Sequence, residues 1–177
     1  DGIIVTHAYG HSADMDMVER FVDKFHVSLI EDFAQATGGT FKNRILGSFG
    51  KVSTTSFHAV KNMTTGYGGA ILTDDLKIYQ RCRNARGDTP YHFYRGIIPL
   101  NLKMTDIQAA IGLAQLNKLD MMVDMRRSIA HKLTSLLSNS VARPPIEKPG
   151  VRHTYYKYHL LLPESMPKWQ FIEEMWR

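Results

Sequence analysis

The feature that most constrains the fold is a strand, helix, strand pattern at the start of the chain. Residues 2–7 form a short apolar run that predicts a buried strand, and residues 12–16 supply capping groups for a helix. The apolar residues of that helix have the i, i+3, i+4, i+7 spacing of one face: Val18, Phe21, Val22 and Phe25. A second apolar run at 27–30 completes a βαβ unit, which is typical of a parallel sheet with helices on its faces.

Two further strands and a helix follow this unit. Residues 51–57 are rich in Val, Ser and Thr and predict a strand, and residues 68–73 predict another, entered through the glycine-rich segment 66–69. A pair of aspartates ending at Asp75 begins a predicted helix. We expect it to end at Gly87, because glycine readily adopts the left-handed conformation that follows a helix.

The longest predicted helix lies after a loop. Residues 88–101 combine proline, glycine and aromatic side chains without a period, and so predict a loop. Thr105 and Gln108 have the spacing of a capping box, and the helix that they begin is expected to run through Leu119 to about Leu137. Its apolar residues cover more than one face, so we expect this helix to be buried.

A turn-rich segment at 141–151 contains three prolines and predicts a boundary between two units. We therefore expect a large domain over residues 1–137 and the start of a smaller domain over residues 138–177. A strand at 155–162 and a short helix from Pro167 would begin the smaller domain.

Polar side chains that could perform chemistry follow two of the predicted strands. Asp32 comes directly after the run at 27–30, and Lys61 follows the strand at 51–57, with Ser56 five residues before it. In open α/β sheets, ligands bind beyond the carboxyl ends of the strands. A pyridoxal phosphate site needs these groups: the lysine forms a Schiff base, the acid meets the pyridine nitrogen and the hydroxyl binds a phosphate oxygen. Each residue alone also has an ordinary reading, as a surface lysine, a turn aspartate or a strand serine.

The segments around these residues resemble a known family. IEDFAQATGG, SFHAVKNMTTGYGG and LNLKMTDIQAAIGLAQLNKL, in this order, are similar to segments of the DegT/DnrJ/EryC1/StrS family of pyridoxal phosphate-dependent sugar aminotransferases, over about residues 5–130. The resemblance implies an α/β fold: the large domain of a fold-type I pyridoxal phosphate transferase, with a mostly parallel sheet flanked by helices. The beginning of a small C-terminal α/β domain would follow.

The resemblance implies roles for five residues. Lys61 would be the Schiff-base lysine and, once the cofactor has left it, the base that moves protons. Asp32 would keep the pyridine nitrogen protonated, and Ser56 would bind the phosphate. Gln35 would lie near the phenolic oxygen of the cofactor, and Asn101 would reach the phosphate bound by a neighbouring subunit. The cofactor would be pyridoxal 5'-phosphate, with pyridoxamine 5'-phosphate as its aminated form.

Three positions depart from the family pattern. Tyr67 stands where the family usually has an acid, Pro99 replaces a glycine and Lys103 replaces an arginine. These departures bear on the donor or substrate pocket, and His58 is a further residue that could line it. Some relatives have a histidine in place of the lysine and perform dehydration, so Lys61 favours the aminotransferase branch.

The remaining titratable residues predict structure more than chemistry. Glu31 is expected to point to the opposite side of its strand from the site and to be structural. The chain has 8 histidines, and His7 and His11 are four residues apart, as His153 and His159 are close in sequence. No H-E-x-x-H motif or Cys/His pairing accompanies them, so we expect no metal site.

Charge and composition limit the partners. The net charge is +5, but Lys and Arg are interleaved with acids in no run of five, so we expect a solvated surface and no nucleic-acid partner. No apolar run is long enough for a membrane span, and the N-terminus lacks a signal-peptide pattern. The single cysteine, Cys82, fits a reducing compartment. We therefore expect a cytoplasmic protein without a membrane partner.

The function that the resemblance implies is transfer of an amino group, from glutamate, onto a keto group of a nucleotide-linked deoxysugar, in a homodimer with a shared active site. One alternative is a pyridoxal phosphate-dependent sugar dehydratase or lyase of the same family. Another is a non-catalytic partial relative that binds a partner or a sugar nucleotide. The family's upstream phosphate-binding loop does not precede Asp1, and family members continue beyond Arg177, so we expect a partial chain.

Overall fold

The computed structural model describes residues 1–88 and 98–176. The strands are β1 (Gly2–Thr6), β2 (Ser28–Asp32), β3 (Thr40–Phe41), β4 (Arg44–Ile45), β5 (Val52–Ser56), β6 (Gly69–Leu72) and β7 (Val151–Arg152). The helices are α1 (Met15–Phe25), α2 (Leu76–Arg86), α3 (Asp106–Leu116), α4 (Leu119–Leu136) and α5 (Lys168–Trp176).

The main sheet has the strand order β1, β2, β5, β6. The first three strands are parallel, with Thr6 opposite Asp32 and Asp32 opposite Thr54, and β6 returns antiparallel to β5. The mostly parallel α/β sheet and the opening βαβ unit are thus confirmed. Because the parallel strands share a direction, their carboxyl ends lie at one edge of the sheet.

Helix α1 connects β1 to β2 and covers their inner face. Asp14 caps it by accepting a hydrogen bond from the Met17 N–H at 3.1 Å, as the capping groups predict. The helix ends at His26, which is left-handed with φ 50°. Met15 is fully buried in the main apolar core, whose other buried members are Val5, Leu29, Phe33, Ala36, Phe41, Leu46 and Val151.

A small second sheet of order β4, β3, β7 was not predicted. Strands β3 and β4 form a tight hairpin whose turn residues, Lys42 and Asn43, have φ of 48° and 64°. Strand β7 joins β3 antiparallel. The strand predicted at 155–162 is wrong, because Tyr155 has φ 47°, a left-handed conformation that interrupts an extended chain.

Helix α2 agrees closely with its prediction. Asp75 caps it with hydrogen bonds from the N–H groups of Lys77 and Ile78 at 2.9 and 3.2 Å, and Gly87 follows it with φ 90°. The loop predicted after α2 falls mostly on residues 89–97, which lie outside the described residues.

The predicted single helix from Thr105 to Leu137 is two helices. The capping box is confirmed, because Thr105 and Gln108 exchange hydrogen bonds, but the chain breaks between α3 and α4 at residues 117–118. There the N–H of Lys118 bonds the carbonyl three residues back, which tightens the turn and ends the α-helical pattern.

Burial also differs between these two helices. Helix α4 buries Leu119, Val123 and Ala130, whereas α3 buries no residue, so the expectation of burial is confirmed for α4 and wrong for α3. The described elements of the chain do not cover the apolar side chains of α3. The short helix predicted from Pro167 is confirmed as α5. Over residues 1–88 and 98–176, no helix has both the length and the hydropathy needed to cross a membrane.

Candidate active site

The carboxyl ends of β1, β2 and β5 place the predicted site residues at one edge of the sheet. Asp32 ends β2, and Ser56 ends β5 two residues beyond Thr54, which lies opposite Asp32. The His7 N–H, just after β1, donates to the Asp32 carbonyl at 2.9 Å and extends the pairing to the edge. This is the position where ligands bind in open α/β sheets.

The Asp32 side chain is only partly used within the protein. Its Oδ1 accepts a hydrogen bond from the Ala34 N–H at 3.0 Å, which fixes the carboxylate at the start of the turn after β2. Within the described ranges, Oδ2 has no hydrogen-bond partner. A half-buried carboxylate with one oxygen available can accept a hydrogen bond from a bound ligand.

Lys61 lies on a loop, residues 57–68, that is closed at its base. The Phe57 N–H donates to the Gly68 carbonyl at 2.8 Å, and the Thr65 N–H donates to the Phe57 carbonyl at 3.0 Å. Gly68 has φ +148°, and a Cβ there would lie 2.7 Å from the Met104 Cε and 2.8 Å from the Thr65 Oγ1. The glycine-rich entry to β6 is therefore a close-packed turn, which agrees with its predicted role.

Asn62 ties this loop to the segment that follows Asp32. Its Nδ2 donates to the Thr37 carbonyl at 2.9 Å, and the Thr37 hydroxyl shares a 2.7 Å hydrogen bond with the Thr55 hydroxyl of β5. Asn62 is 5% exposed, and within the described ranges its buried Oδ1 has no partner. The residue beside Lys61 is therefore anchored five positions beyond Asp32.

Gln35 and Lys61 are linked through two tyrosines. Gln35 Oε1 accepts a hydrogen bond from the Tyr9 N–H at 2.8 Å, and the Tyr9 carbonyl accepts one from the Lys157 N–H at 3.2 Å. The neighbouring Tyr156 turns its ring toward Lys61, whose Nζ lies 4.7 Å from the ring centroid. Four segments therefore converge on the edge where Asp32 ends β2.

Ser56 and His58 lie at the start of the Lys61 loop. The Ser56 Oγ accepts a hydrogen bond from the His58 N–H at 3.3 Å, a local contact that leaves the hydroxyl hydrogen for another acceptor. The His58 ring meets the exposed Tyr67 ring edge to face, with centroids 5.1 Å apart. His58 and Tyr67 thus form one aromatic pair on the loop that carries Lys61.

Asn101 stands apart from the other four predicted residues. It is exposed, and within the described ranges its side chain makes no hydrogen bond. Its neighbours are held to the end of α2, since the Leu100 N–H donates to the Ala85 carbonyl at 2.8 Å. Lys103 lies 4.0 Å from Asp88. Within the described ranges no hydrogen bond or ion pair joins Asn101 to Asp32 or Lys61, and its role in a neighbouring subunit stays a prediction.

Glu31 points to the opposite face of β2 and is fully buried, as predicted. Its Oε1 accepts hydrogen bonds from His7 Nε2 at 3.0 Å and from the Gly47 N–H. Its Oε2 accepts from the N–H groups of Phe49 and Gly50 at 2.8 and 3.0 Å. Burial raises the pKa of Glu31, but the His7 and backbone hydrogen bonds outweigh it, so the pKa lies below its ordinary value.

The bonding of His7 defines its protonation. The Ala13 N–H donates to His7 Nδ1 at 3.0 Å, so Nδ1 carries no proton and Nε2 donates to Glu31. This assignment makes His7 a neutral imidazole that connects the end of β1 to the core side of β2.

Residues that the sequence did not point to hold Tyr156 in place. The buried His153 accepts a hydrogen bond from the Tyr155 N–H at 3.0 Å, and the two rings stack 3.9 Å apart. Burial, and next the nearby His11, lower the pKa of His153 to about 4. No spacing rule marks Tyr9, Asn62 or Tyr156. The sequence offers one signal for the close approach at Tyr9, namely Gly10, which follows it shortly after the end of β1.

A carboxylate completes this network. Glu147 Oε1 accepts from the His153 N–H at 2.9 Å and pairs with Arg127, and its Oε2 lies 3.3 Å from His131 Nε2. Burial raises the pKa of Glu147, but the bonds from Arg127, the His153 N–H and His131 outweigh it, so that the pKa falls below its ordinary value. No group of three or more His, Cys, Asp or Glu residues within the described ranges is arranged to hold a metal ion.

Comparison with known proteins gives the class first. The fold matches that of the E. coli GDP-4-keto-6-deoxy-D-mannose-3-dehydratase with bound hydrated PLP, with a TM-score of 0.87 over 99% of this chain and 50% of that one. At 21% identity this likeness shows the fold alone. The chain therefore shares the fold of that dehydratase over half of its length.

Sequence comparison then gives the family. A GDP-perosamine synthase of Escherichia coli O157:H7 is 36% identical over 90% of this chain and 44% of its own length. An L-glutamine:2-deoxy-scyllo-inosose aminotransferase of Streptoalloteichus tenebrarius is 32% identical over 92% of this chain and 42% of its own length. The model of the DegT/DnrJ/EryC1/StrS aminotransferase family matches residues 1–176, and the chain belongs to that family. It spans less than half the length of these two relatives.

The residues at the edge fit the cofactor of this family. Asp32 offers a carboxylate oxygen, Ser56 offers a hydroxyl and Lys61 offers an amine that, among the described residues, makes no ion pair with an acid. A pyridine nitrogen, a phosphate and an aldehyde are the groups that these three side chains can bind.

Proposed function

We propose that the chain carries part of the active site of a pyridoxal phosphate-dependent sugar aminotransferase. The observation that supports this most directly is the bond from Asn62 to Thr37, which couples the Lys61 loop to the segment after Asp32. It supports the proposal because it connects the residue after Lys61 to the segment that follows Asp32.

Each site residue has a defined task in this proposal. Asp32 would accept a hydrogen bond from the pyridine nitrogen and keep it charged, which makes the ring a better electron sink. Lys61 would bind the cofactor covalently and, when free, carry a proton between substrate and cofactor carbon atoms. Ser56 would bind a phosphate oxygen, and the Gln35 amide would donate toward the phenolic oxygen. The cofactor, when bound, supplies the carbonyl that takes up and releases the amino group.

The substrate and donor in this proposal follow the family. The acceptor would be a keto group of a nucleotide-linked deoxysugar, as the name of the perosamine synthase relative suggests. Glutamate is the donor that we expect, and the name of the inosose aminotransferase makes glutamine the competing donor. Supplying each donor separately and measuring 2-oxoglutarate or the glutamine keto acid decides between them.

The site would be completed by a second copy of the chain. Asn101 has no internal partner within the described ranges, and exposed apolar residues lie near it in the sequence: Ile98, Leu100, Leu102, Ile107 and Leu113. Several exposed apolar side chains on one segment are typical of an interaction site. We propose that residues 98–116 lie in a homodimer interface and that Asn101 binds the phosphate in the partner's site. The division into domains at residue 137 remains part of the same proposal.

The central test is chemical. Borohydride reduction of the cofactor-bound protein, followed by peptide mapping, should place the pyridoxyl mass on Lys61. The variant Lys61→Ala should lose both the label and the visible absorbance of the bound cofactor. The matched control Lys51→Ala removes an exposed lysine of the same chain and should keep both. Label on any other lysine would refute the assignment.

A sugar dehydratase is the main competing activity, and its fold is shared. Lys61 argues against it, because the resemblance implies a histidine at this position in some relatives that perform dehydration. Product analysis of the sugar separates the two: amino transfer leaves the donor's nitrogen on the sugar, whereas dehydration removes a hydroxyl group and leaves no nitrogen there.

A further inference from the structure

The face of the Tyr156 ring meets the Lys61 side chain, although the two residues are far apart in sequence. Lys61 Nζ lies 4.7 Å from the ring centroid, and this is its only polar or charged contact beyond the backbone within the described ranges. An amino cation within about 6 Å of an aromatic face is attracted by the ring quadrupole. The amine at the centre of the proposed chemistry is thus held by a ring and not by an acid.

The backbone that carries Tyr156 is built to hold this position. The Thr154 N–H donates to the Gly10 carbonyl at 2.9 Å, and the Lys157 N–H donates to the Tyr9 carbonyl at 3.2 Å. Tyr155, between them, is 6% exposed and has φ 47°. A left-handed conformation in a buried tyrosine is costly and persists only where the surroundings enforce it.

Gly10 shows how closely the two segments approach. It has φ +100°, and a Cβ at this position would lie 2.7 Å from the Tyr156 N and 2.9 Å from the Tyr155 N. Only glycine allows the turn after β1 to reach the backbone beside Tyr156. In the same turn, the Tyr9 N–H donates to Gln35 Oε1. One turn therefore positions both the Tyr156 ring and Gln35, which we propose to contact the cofactor.

We propose that Tyr156 is a positioning residue for Lys61: its ring face holds the amino group at the carboxyl edge of the sheet whenever the lysine is not covalently linked. A neutral ring suits this task better than a carboxylate, because it guides the amine without forming an ion pair that must break before the amine reacts. The role of this contact in catalysis rests on the proposed function, whereas the contact between the Tyr156 ring and Lys61 does not.

The test uses the full-length protein without cofactor, so that it reads the contact alone. Limited acetylation with an isotope-coded amine reagent, followed by mass spectrometry, gives the labelling rate of each lysine. Tyr156→Leu should raise the rate at Lys61 about two- to fivefold, from the usual strength of such contacts. Tyr156→Phe keeps the ring and should label as the unchanged protein does. Tyr79→Leu, which removes an exposed tyrosine that contacts Arg83 on α2, is the matched control and should leave Lys61 unaffected.

A second measurement needs no substitution at Tyr156. Reductive methylation with ¹³C-formaldehyde marks every lysine, and Lys61→Arg identifies the Lys61 signal by its loss. A ring facing this amine should shift its methyl resonance upfield from those of the exposed lysines. A Lys61 resonance among the exposed lysines would overturn the proposal, as would unchanged labelling in a folded Tyr156→Leu variant.

Failure of this proposal is distinguishable from failure of the proposed function. If borohydride places the cofactor on Lys61 but the ring contact is absent, only the role of Tyr156 is wrong. If the contact is present but the cofactor is attached elsewhere, the ring holds a lysine that is not the linking residue.

Discussion

Glu31 and Asp32 are adjacent carboxylates at the end of β2, and they differ in how many hydrogen bonds the protein gives them. Glu31 is fully buried, and both of its oxygens are occupied by four donors, three of them backbone N–H groups. Asp32, one residue on, receives a single donor on one oxygen within the described ranges. Both side chains are carboxylates, but the fold fills both oxygens of Glu31 with hydrogen bonds and leaves one oxygen of Asp32 able to bind a ligand.

This difference extends to the residues around each carboxylate. On the core side, both ring nitrogens of His7 have partners within the protein. On the edge side, Asn62 keeps a buried oxygen without a partner among the described residues, and Lys61 meets only a ring. Polar groups that a protein satisfies internally stabilise it, and groups that it leaves unpaired at a strand end are candidates for binding.

The largest expected effect comes from removing Glu31, whose two oxygens are both hydrogen-bonded within the protein. Glu31→Ala leaves His7 and the N–H groups of Gly47, Phe49 and Gly50 without their acceptor. We expect the free energy of unfolding to fall by about 3–5 kcal/mol, because several donors lose their acceptor at once and each buried donor left unpaired costs about 1–3 kcal/mol. Urea unfolding followed by circular dichroism measures this loss.

The control for this variant is Asp32→Ala, which removes the neighbouring carboxylate and only one internal hydrogen bond. It should cost about 0.5–1.5 kcal/mol, from the net worth of one hydrogen bond. Equal losses in the two variants would mean that the two faces do not differ as the hydrogen bonds indicate.

Acid should weaken a second buried network, the one that contains His153 and Glu147. The pKa of His153 is lowered to about 4 from 6.5, so the unfolded chain binds a proton in this range that the folded protein does not. Stability is therefore full above about pH 6.5 and is lost as the pH falls toward 4, by about 3 kcal/mol. Unfolding free energies measured between pH 7 and 4.5 test this slope.

His153→Asn separates this residue from the other titrating groups. The asparagine Oδ1 can accept the Tyr155 N–H in place of the ring nitrogen, and it does not titrate. The variant should be less stable at pH 7 but should lose most of the slope. The pKa of Glu31 is also lowered. The stability that Glu31 contributes is therefore present above about pH 4.5 and is lost as the pH falls further, below the range in which His153 acts. A slope unchanged by the substitution would exclude His153 as its origin.

The unsaturated side is tested by Asp32→Asn. The amide oxygen can still accept the Ala34 N–H, so folding should change by less than about 0.5 kcal/mol. Cofactor affinity should fall about 10- to 150-fold, because a charge-assisted hydrogen bond to the pyridine nitrogen is worth about 1.5–3 kcal/mol. Fluorescence titration with pyridoxal phosphate gives the affinity. Unchanged affinity would remove Asp32 from the cofactor site.

The parts of the fold that follow from local chemistry could be predicted from the sequence. The helix caps at Asp14, Asp75 and Thr105 use side chains that bond the nearest N–H groups, so no distant residue is needed to find them. The break between α3 and α4 was missed because the apolar pattern continues across it. The α3 burial was expected from composition, but burial depends on what covers a helix and not on the helix alone.

The site divides in the same way. Asp32 and Ser56 could be placed at one edge from the sequence because they lie at the ends of parallel strands, and Lys61 because it follows Ser56 by five residues. Tyr156 lies about 95 residues beyond Lys61, and only the left-handed Tyr155 and the close approach at Gly10 bring its ring to the amine. A contact that depends on two backbone conformations in distant segments leaves no spacing in the sequence to read.

The smallest expected effect concerns a hydrogen bond at the base of the edge loop. Gln108 Nε2 donates to the Tyr67 carbonyl at 3.1 Å, while its Oε1 completes the capping box with Thr105. Gln108→Glu keeps the capping oxygen and loses only the donor to Tyr67, so we expect a loss of about 0.5–1 kcal/mol in unfolding free energy. Gln108→Ala loses both bonds and should cost more, and thermal unfolding of the pair separates the two contributions. If the glutamate variant is as stable as the unchanged protein, the Tyr67 carbonyl is held by the Thr65 hydroxyl alone, and α3 does not anchor the loop that carries Lys61.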